Sequence, residues 1–128
     1  RNNRTTIRSL VTTQGTFLAM SDGMIVWETT VARKTLHLRT AATALLGVKE
    51  DNHSLSKLFI GDRLGQLHVI QLPSFVLEYT TNVSDAAMRA MCIDGDGALI
   101  AADAKGSIWR IGLKGDSKLM FSTNRSIS

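Results

Sequence analysis

Phe17-Leu-Ala-Met-Ser-Asp-Gly-Met-Ile-Val-Trp27 has two further versions along the chain. They are Leu58-Phe-Ile-Gly-Asp-Arg-Leu-Gly-Gln-Leu-His-Val-Ile70 and Leu99-Ile-Ala-Ala-Asp-Ala-Lys-Gly-Ser-Ile-Trp-Arg-Ile111. Each is an apolar run, a polar turn holding Asp and Gly, and a second apolar run. The aspartates Asp22, Asp62 and Asp103 are spaced by 40 and 41 residues. Recurrence at such a period marks a repeat architecture, in which one supersecondary unit is stacked on the next.

The likeness extends outward from the turn. Upstream, Ile7-Arg-Ser-Leu-Val11 matches Met88-Arg-Ala-Met-Cys92 at an offset of 81, with Ala42-Thr-Ala-Leu-Leu46 in the middle unit. Downstream, Thr35-Leu-His-Leu38, Val76-Leu-Glu-Tyr79 and Lys118-Leu-Met-Phe121 fill a fourth place. Every unit thus reads as four strands of about five to seven residues, rich in Val, Ile, Leu and Thr and separated by Gly, Asp, Asn or Ser. At the turn between the second and third strands, Asp22, Asp62 and Asp103 are read as backbone-capping entry residues. Gly23, Gly65 and Gly106 supply a residue free to take positive φ. The lone proline, Pro73, falls between third and fourth strands, where no ladder donor is needed. Only 40–49 tempts a helical reading, and its repeat-equivalents favour strand.

A unit of about 40 residues folding as one four-stranded sheet has the period of a β-propeller blade. The chain resembles the WD-repeat family, whose blades carry a Gly-rich, Asp-containing turn and then an apolar strand ending in Trp-Asp. Met24-Ile-Val-Trp27-Glu28 is the nearest copy, with Glu for Asp. Gln66-Leu-His-Val-Ile70-Gln71 and Ser107-Ile-Trp-Arg-Ile111-Gly112 lack the dipeptide, and no unit has the family's Gly-His pair. The resemblance implies an all-β fold of three four-stranded antiparallel blades in one domain, at about 5–40, 41–82 and 86–123. The favoured function is a non-enzymatic protein-interaction module, a role that needs no catalytic residues. Trp27 takes the family's packing place. Trp109, two residues before Ile111, is expected on the same sheet face as Trp27.

Three blades do not close a ring, since propellers have at least four. Two apolar sheet faces would stand open, which monomers avoid. Either further blades belong to a longer propeller, or copies associate. The chain opens on a first strand and stops after a fourth, which suits head-to-tail closure, with a homodimer of about six blades favoured over a trimer of about nine.

Composition narrows the rest. A hydrophobic fraction of 44% and a charged fraction of 20% are those of a globular domain, and no apolar stretch is long enough to span a bilayer. The net charge of +4 comes from basic residues spread along the chain, which does not favour a dedicated nucleic-acid binder. The single cysteine, Cys92, sits in an apolar run and reads as a buried thiol in a reducing, cytoplasmic setting. No basic-then-apolar leader opens the sequence. Four triplets, beginning at Asn3, Asn52, Asn82 and Asn124, match the glycosylation acceptor pattern and keep a secreted, sugar-binding propeller as an alternative.

No catalytic, metal or cofactor site is expected. His37, His53 and His68 lack metal-ligand spacing and read as surface residues. Asp94-Gly-Asp-Gly97 lacks the ligand set of a calcium loop and reads as a hairpin turn. Arg8, Thr43 and Arg89 form the candidate binding set. The two arginines are read as equivalent residues at the start of the innermost strand, lining the axis. In a closed dimer four of them would converge on an anion or an acidic partner. That is the expectation for a ligand-binding or enzymatic alternative.

Overall fold

The computed structural model describes residues 6–12, 14–49, 55–72, 74–93, 98–111 and 117–122. They form twelve strands and no helix. In chain order these are β1 (Thr6–Thr12), β2 (Gly15–Met20), β3 (Met24–Glu28), β4 (Arg33–His37), β5 (Ala42–Lys49) and β6 (Leu55–Asp62). The second half holds β7 (Gln66–Gln71), β8 (Val76–Asn82), β9 (Met88–Ile93), β10 (Leu99–Asp103), β11 (Ser107–Ile111) and β12 (Ser117–Ser122). They make three separate antiparallel sheets of four, β1–β4, β5–β8 and β9–β12, each a meander of sequential neighbours. These are blades 1, 2 and 3. The first strands stand side by side, β1 against β5 and β5 against β9. Pro73, His53 and the run 94–97 lie outside the described residues, as do the triplets at Asn3, Asn52 and Asn124.

A common turn sets the level of each blade. Gly23, Gly65 and Gly106 donate their N–H to the carbonyls of Met20, Asp62 and Asp103, at 3.1, 3.2 and 3.1 Å. Their φ values are 94°, 87° and 87°, a region closed to most side chains. At Gly65 a Cβ would come within 2.1 Å of the Ser84 carbonyl oxygen, so the turn also seats the chain leading into blade 3. Counted from these glycines, the residue level with Asp62 and Asp103 is Met20. Asp22 lies within the blade 1 turn rather than at its entry.

The level also sorts the two faces, because directly paired residues share a face and adjacent residues along a strand do not. On the front of each blade, toward the following one, stand Phe17, Ala19, Ile25 and Trp27 in blade 1, and Phe59, Gly61, Leu67 and Val69 in blade 2. On the back of blades 2 and 3 stand Leu58, Ile60, His68 and Ile70, then Leu99, Ala101, Trp109 and Ile111. The front of blade 1 and the back of blade 2 merge in one core, and the front of blade 2 and the back of blade 3 in another. Each fully buried Leu, Ile or Phe contributes roughly 1.5–3 kcal/mol by leaving water. At Gly61 a Cβ would fall 2.5 Å from the Met88 Cβ, so the absent side chain is what lets blade 3 approach.

The first core is aromatic. Phe17 stacks on Trp27 with centroids 5.3 Å apart, and Phe75 meets Trp27 at 5.7 Å and Phe17 at 6.4 Å. Phe75 reaches in from the β7–β8 loop with φ at 60°, and its N–H holds the Gln71 carbonyl at 2.8 Å. Such a backbone costs about 1–3 kcal/mol, an amount its buried ring offsets.

Candidate functional site

Two carboxylates organise the edge where the β-turns lie. Asp62 ends β6 fully buried. Its Oδ1 accepts the N–H groups of Leu64 and Gln66, both at 2.9 Å, which closes the turn. Its Oδ2 lies 2.7 Å from His68 Nε2, and His68 Nδ1 lies 2.9 Å from Thr80 Oγ1. A carboxylate only accepts, so Nε2 carries the proton of that bond. His68 is therefore a buried member of a chain crossing three strands, not the surface residue expected from its polar neighbours. Asp103 repeats the turn closure with Lys105 and Ser107, both at 2.9 Å. Its Oδ2 instead accepts Ser84 Oγ at 2.6 Å and Trp109 Nε1 at 2.9 Å. Burial alone would raise the Asp103 pKa. The bonds from Ser84, Trp109, Ser107 and Lys105 outweigh it and hold the carboxyl below its ordinary value.

Trp109 stands level with His68 and Val26, one residue off the level of Trp27. It lies on the back of its blade and Trp27 on the front, which corrects the expectation that they share a face. Its half-buried indole lines an open groove of about 560 Å³ with Leu64, Asn82, Val83, Ser84 and Asp85. Leu64 projects there from the blade 2 turn, 59% exposed. Lys105 spans to the exposed Asp85 at 3.1 Å.

The inner strands revise the arginine pair. Each has one residue bulged out of register at the same level: Ile7 in β1, Thr43 in β5 and Arg89 in β9. Arg89 is therefore the counterpart of Thr43 and Ile7. Arg8, one residue further, is level with Ala44 and Ala90. The bulge invisible in the sequence had aligned the two arginines. Arg8 bridges blades: its Nε donates to the Thr43 carbonyl at 2.9 Å and its Nη1 to the Ile7 carbonyl at 3.0 Å. The Thr43 hydroxyl in turn donates to the Met88 carbonyl of blade 3. Arg89 is exposed. Among the described residues no group of three or more His, Cys, Asp or Glu is placed to hold a metal ion.

The outer faces of the two end blades take part in neither core. The front of blade 3 carries Ile100, Ala102, Ile108 and Arg110, and beside Ile100 stands Cys92. Cys92 is exposed, where the apolar run around it suggested burial. The back of blade 1 carries Thr16, Leu18, Val26 and Glu28; Val26 is fully buried there, while Val11 beside Thr16 is 77% exposed.

No protein-family model matches the chain, and a search of curated proteins finds no significant match. Solved structures do match. The chain is similar to U3-55K (TM-score 0.80, 13% identity), with 95% of this chain and 41% of that one covered. The WD40 repeats of RRP9 give a TM-score of 0.79 at 13% identity, covering 95% and 40%. BamB from Moraxella catarrhalis gives 0.74 at 16%, covering 96% and 38%. The chain thus spans about two fifths of the length of the structures it matches. At these identities the likeness establishes the fold: three consecutive blades of a WD-repeat-like β-propeller, with the ring not closed.

Proposed function

We propose that the chain is a non-enzymatic protein-interaction module, a partial propeller that completes its ring by associating with copies of itself. The observation that carries the reading is that the front of blade 3 and the back of blade 1 take part in neither of the two cores shared by neighbouring blades. Sheet faces at the ends of a blade stack are covered in stable assemblies. The WD-repeat-like fold supports a scaffold role, since such folds display loops and grooves on a rigid frame rather than a fixed chemistry. The groove beside Trp109 is the surface offered to a protein partner, with Leu64 as its projecting apolar contact.

Light scattering on the purified 128-residue chain tests the association. A stable dimer or trimer is the expected result, and a folded monomer at every concentration rejects ring completion. The groove is tested separately. A protein bound by the wild type should be lost with Leu64→Glu, a change on an exposed turn that leaves both cores intact. Partners that bind both forms equally would move the interaction elsewhere.

A further inference from the structure

The two connections between blades take the same path but differ in charge. The Arg63 N–H donates to the Ala41 carbonyl at 3.0 Å, and the Ala104 N–H donates to the Ala87 carbonyl at 2.8 Å. Leu38 and Thr40 cross the turn at Gly23 as Ser84 and Ala86 cross the one at Gly65. Arg39 therefore occupies the place of Asp85, Arg63 that of Ala104 and Leu64 that of Lys105. Between blades 2 and 3 the charge is balanced within the chain, because Lys105 Nζ donates to both carboxylate oxygens of Asp85 at 3.1 Å. Between blades 1 and 2 the same places hold Arg39 and Arg63, both exposed.

Further arginines flank this connection. Arg8 donates from Nε to the Thr43 carbonyl at 2.9 Å, and Arg89 follows Met88, whose carbonyl accepts the Thr43 hydroxyl. Carbonyl acceptors position the Arg8 guanidinium without neutralising its charge. Among the described residues, the exposed acids of this edge are Asp22 and the Asp85 paired with Lys105, while Asp62 and Asp103 are buried. Glu28 and Glu78 lie toward the opposite edge and bridge Arg33 and Lys57. The turn edge over blades 1 and 2 thus holds an excess of positive charge.

We propose that this edge binds an extended acidic segment of a partner protein, with Arg39 and Arg63 as its carboxylate contacts and Arg8 and Arg89 strengthening the field. This rests on the reading of the chain as a protein-interaction module, and adds the chemistry of the partner. Like charges grouped on one edge repel, and an acidic segment relieves that repulsion. The planar guanidinium also pairs with a carboxylate through two parallel bonds. Leu64 and Arg63 are adjacent in the blade 2 turn: Leu64 lines the groove beside Trp109, and Arg63 meets the connection from blade 1. A segment crossing that turn sets an apolar side chain in the groove and carboxylates over Arg63 and Arg39. The groove end, where Asp85 and Lys105 cancel, contributes no preference of charge.

Fluorescence polarisation tests the assignment with a short labelled peptide of glutamates carrying one leucine, a lysine counterpart of equal length, and oligouridylate. The wild type should prefer the glutamate peptide and hold it less tightly as salt rises. Arg39→Glu and Arg63→Glu should each weaken that binding about fivefold or more. Arg33→Glu, the same charge change on the opposite edge, should alter it by less than about twofold. The double variant of Arg39 and Arg63, checked for folding by circular dichroism, should prefer the lysine peptide instead. A wild type that binds no glutamate peptide overturns the proposal, as does an equal loss in Arg33→Glu, which would reduce the effect to net charge. Tighter binding of oligouridylate through the same arginines overturns it in favour of nucleic acid. A protein lost with Leu64→Glu yet kept by both single arginine variants overturns the acidic partner while leaving the interaction module standing.

Discussion

Asp62 and Asp103 stand at the same place in neighbouring blades and close the same turn, yet their second oxygens serve different ends. Asp62 is held by His68, itself held by Thr80, so its bonds run from β6 across β7 to β8. They tie one blade to itself. Asp103 is held by Ser84, which comes from the connection out of blade 2, and by Trp109 of its own blade. Its bonds tie blade 3 to what precedes it. The comparison separates what the repeat conserves from what it leaves open. The glycine turn and two backbone donors recur because the hairpin geometry demands them, and the remaining acceptor is satisfied by whatever polar side chain lies level with it.

Breaking the Asp62 side should do the most damage. In Asp62→Ala the Leu64 and Gln66 N–H groups and His68 lose their acceptor, and Asp62 is fully buried with His68 nearly so. Leaving buried donors unpaired is expensive, so a loss of about 3 kcal/mol is expected by urea unfolding. Asp62→Asn should lose less, since its amide oxygen still accepts. Equal losses would mean that the turn bonds carry little and the His68 contact carries nearly all.

The Asp103 side should show itself through pH. Its folded carboxyl is held below the ordinary value, whereas in the unfolded chain it titrates near about 3.9. The folded state therefore binds this proton less readily. The stabilisation is complete well above about pH 4 and fades as pH falls through the folded value. Asp103→Asn, which cannot ionise, should remove that part of the acid loss while lowering stability at neutral pH by about 2 kcal/mol. Stability curves of the two proteins from pH 7 downward should converge in acid. Parallel curves would deny Asp103 this role.

Much of this architecture was legible before any coordinates. The period, the hairpin chemistry and the apolar strands were enough for three four-stranded blades. The position of His68 was also within reach, because alternation puts it on the face of Ile70, a strand-centre apolar residue, and a polar neighbour on the other face says nothing about it. Two things were not legible. A bulge adds a residue without any compositional mark, so Arg8 and Arg89 aligned in sequence although the backbone sets Arg89 level with Thr43. Nor does an apolar run reveal which blade face is covered. Cys92 and Met91 are adjacent and similar in character. Met91 packs against the core shared with blade 2, while Cys92 points from the front of the last blade.

The smallest effect belongs to the aspartate that the repeat spacing grouped with the other two. Asp22 lies within its turn, two residues past Met20, and is exposed. Its Oδ1 takes the Met24 N–H at 3.1 Å, and its backbone carbonyl faces His37 Nε2 at 3.0 Å. Truncating the side chain removes the bond from Met24 N–H in water-accessible surroundings, where solvent replaces the lost acceptor, and leaves the Gly23 turn bond untouched. Asp22→Ala should therefore cost less than about 0.5 kcal/mol. Measured beside Asp62→Ala, it tests whether level or spacing defines the repeat. If turn level governs, the two losses differ severalfold. Similar losses would mean that the carboxylate matters wherever it sits in the turn, and the correspondence of Met20 with Asp62 and Asp103 would have no energetic content.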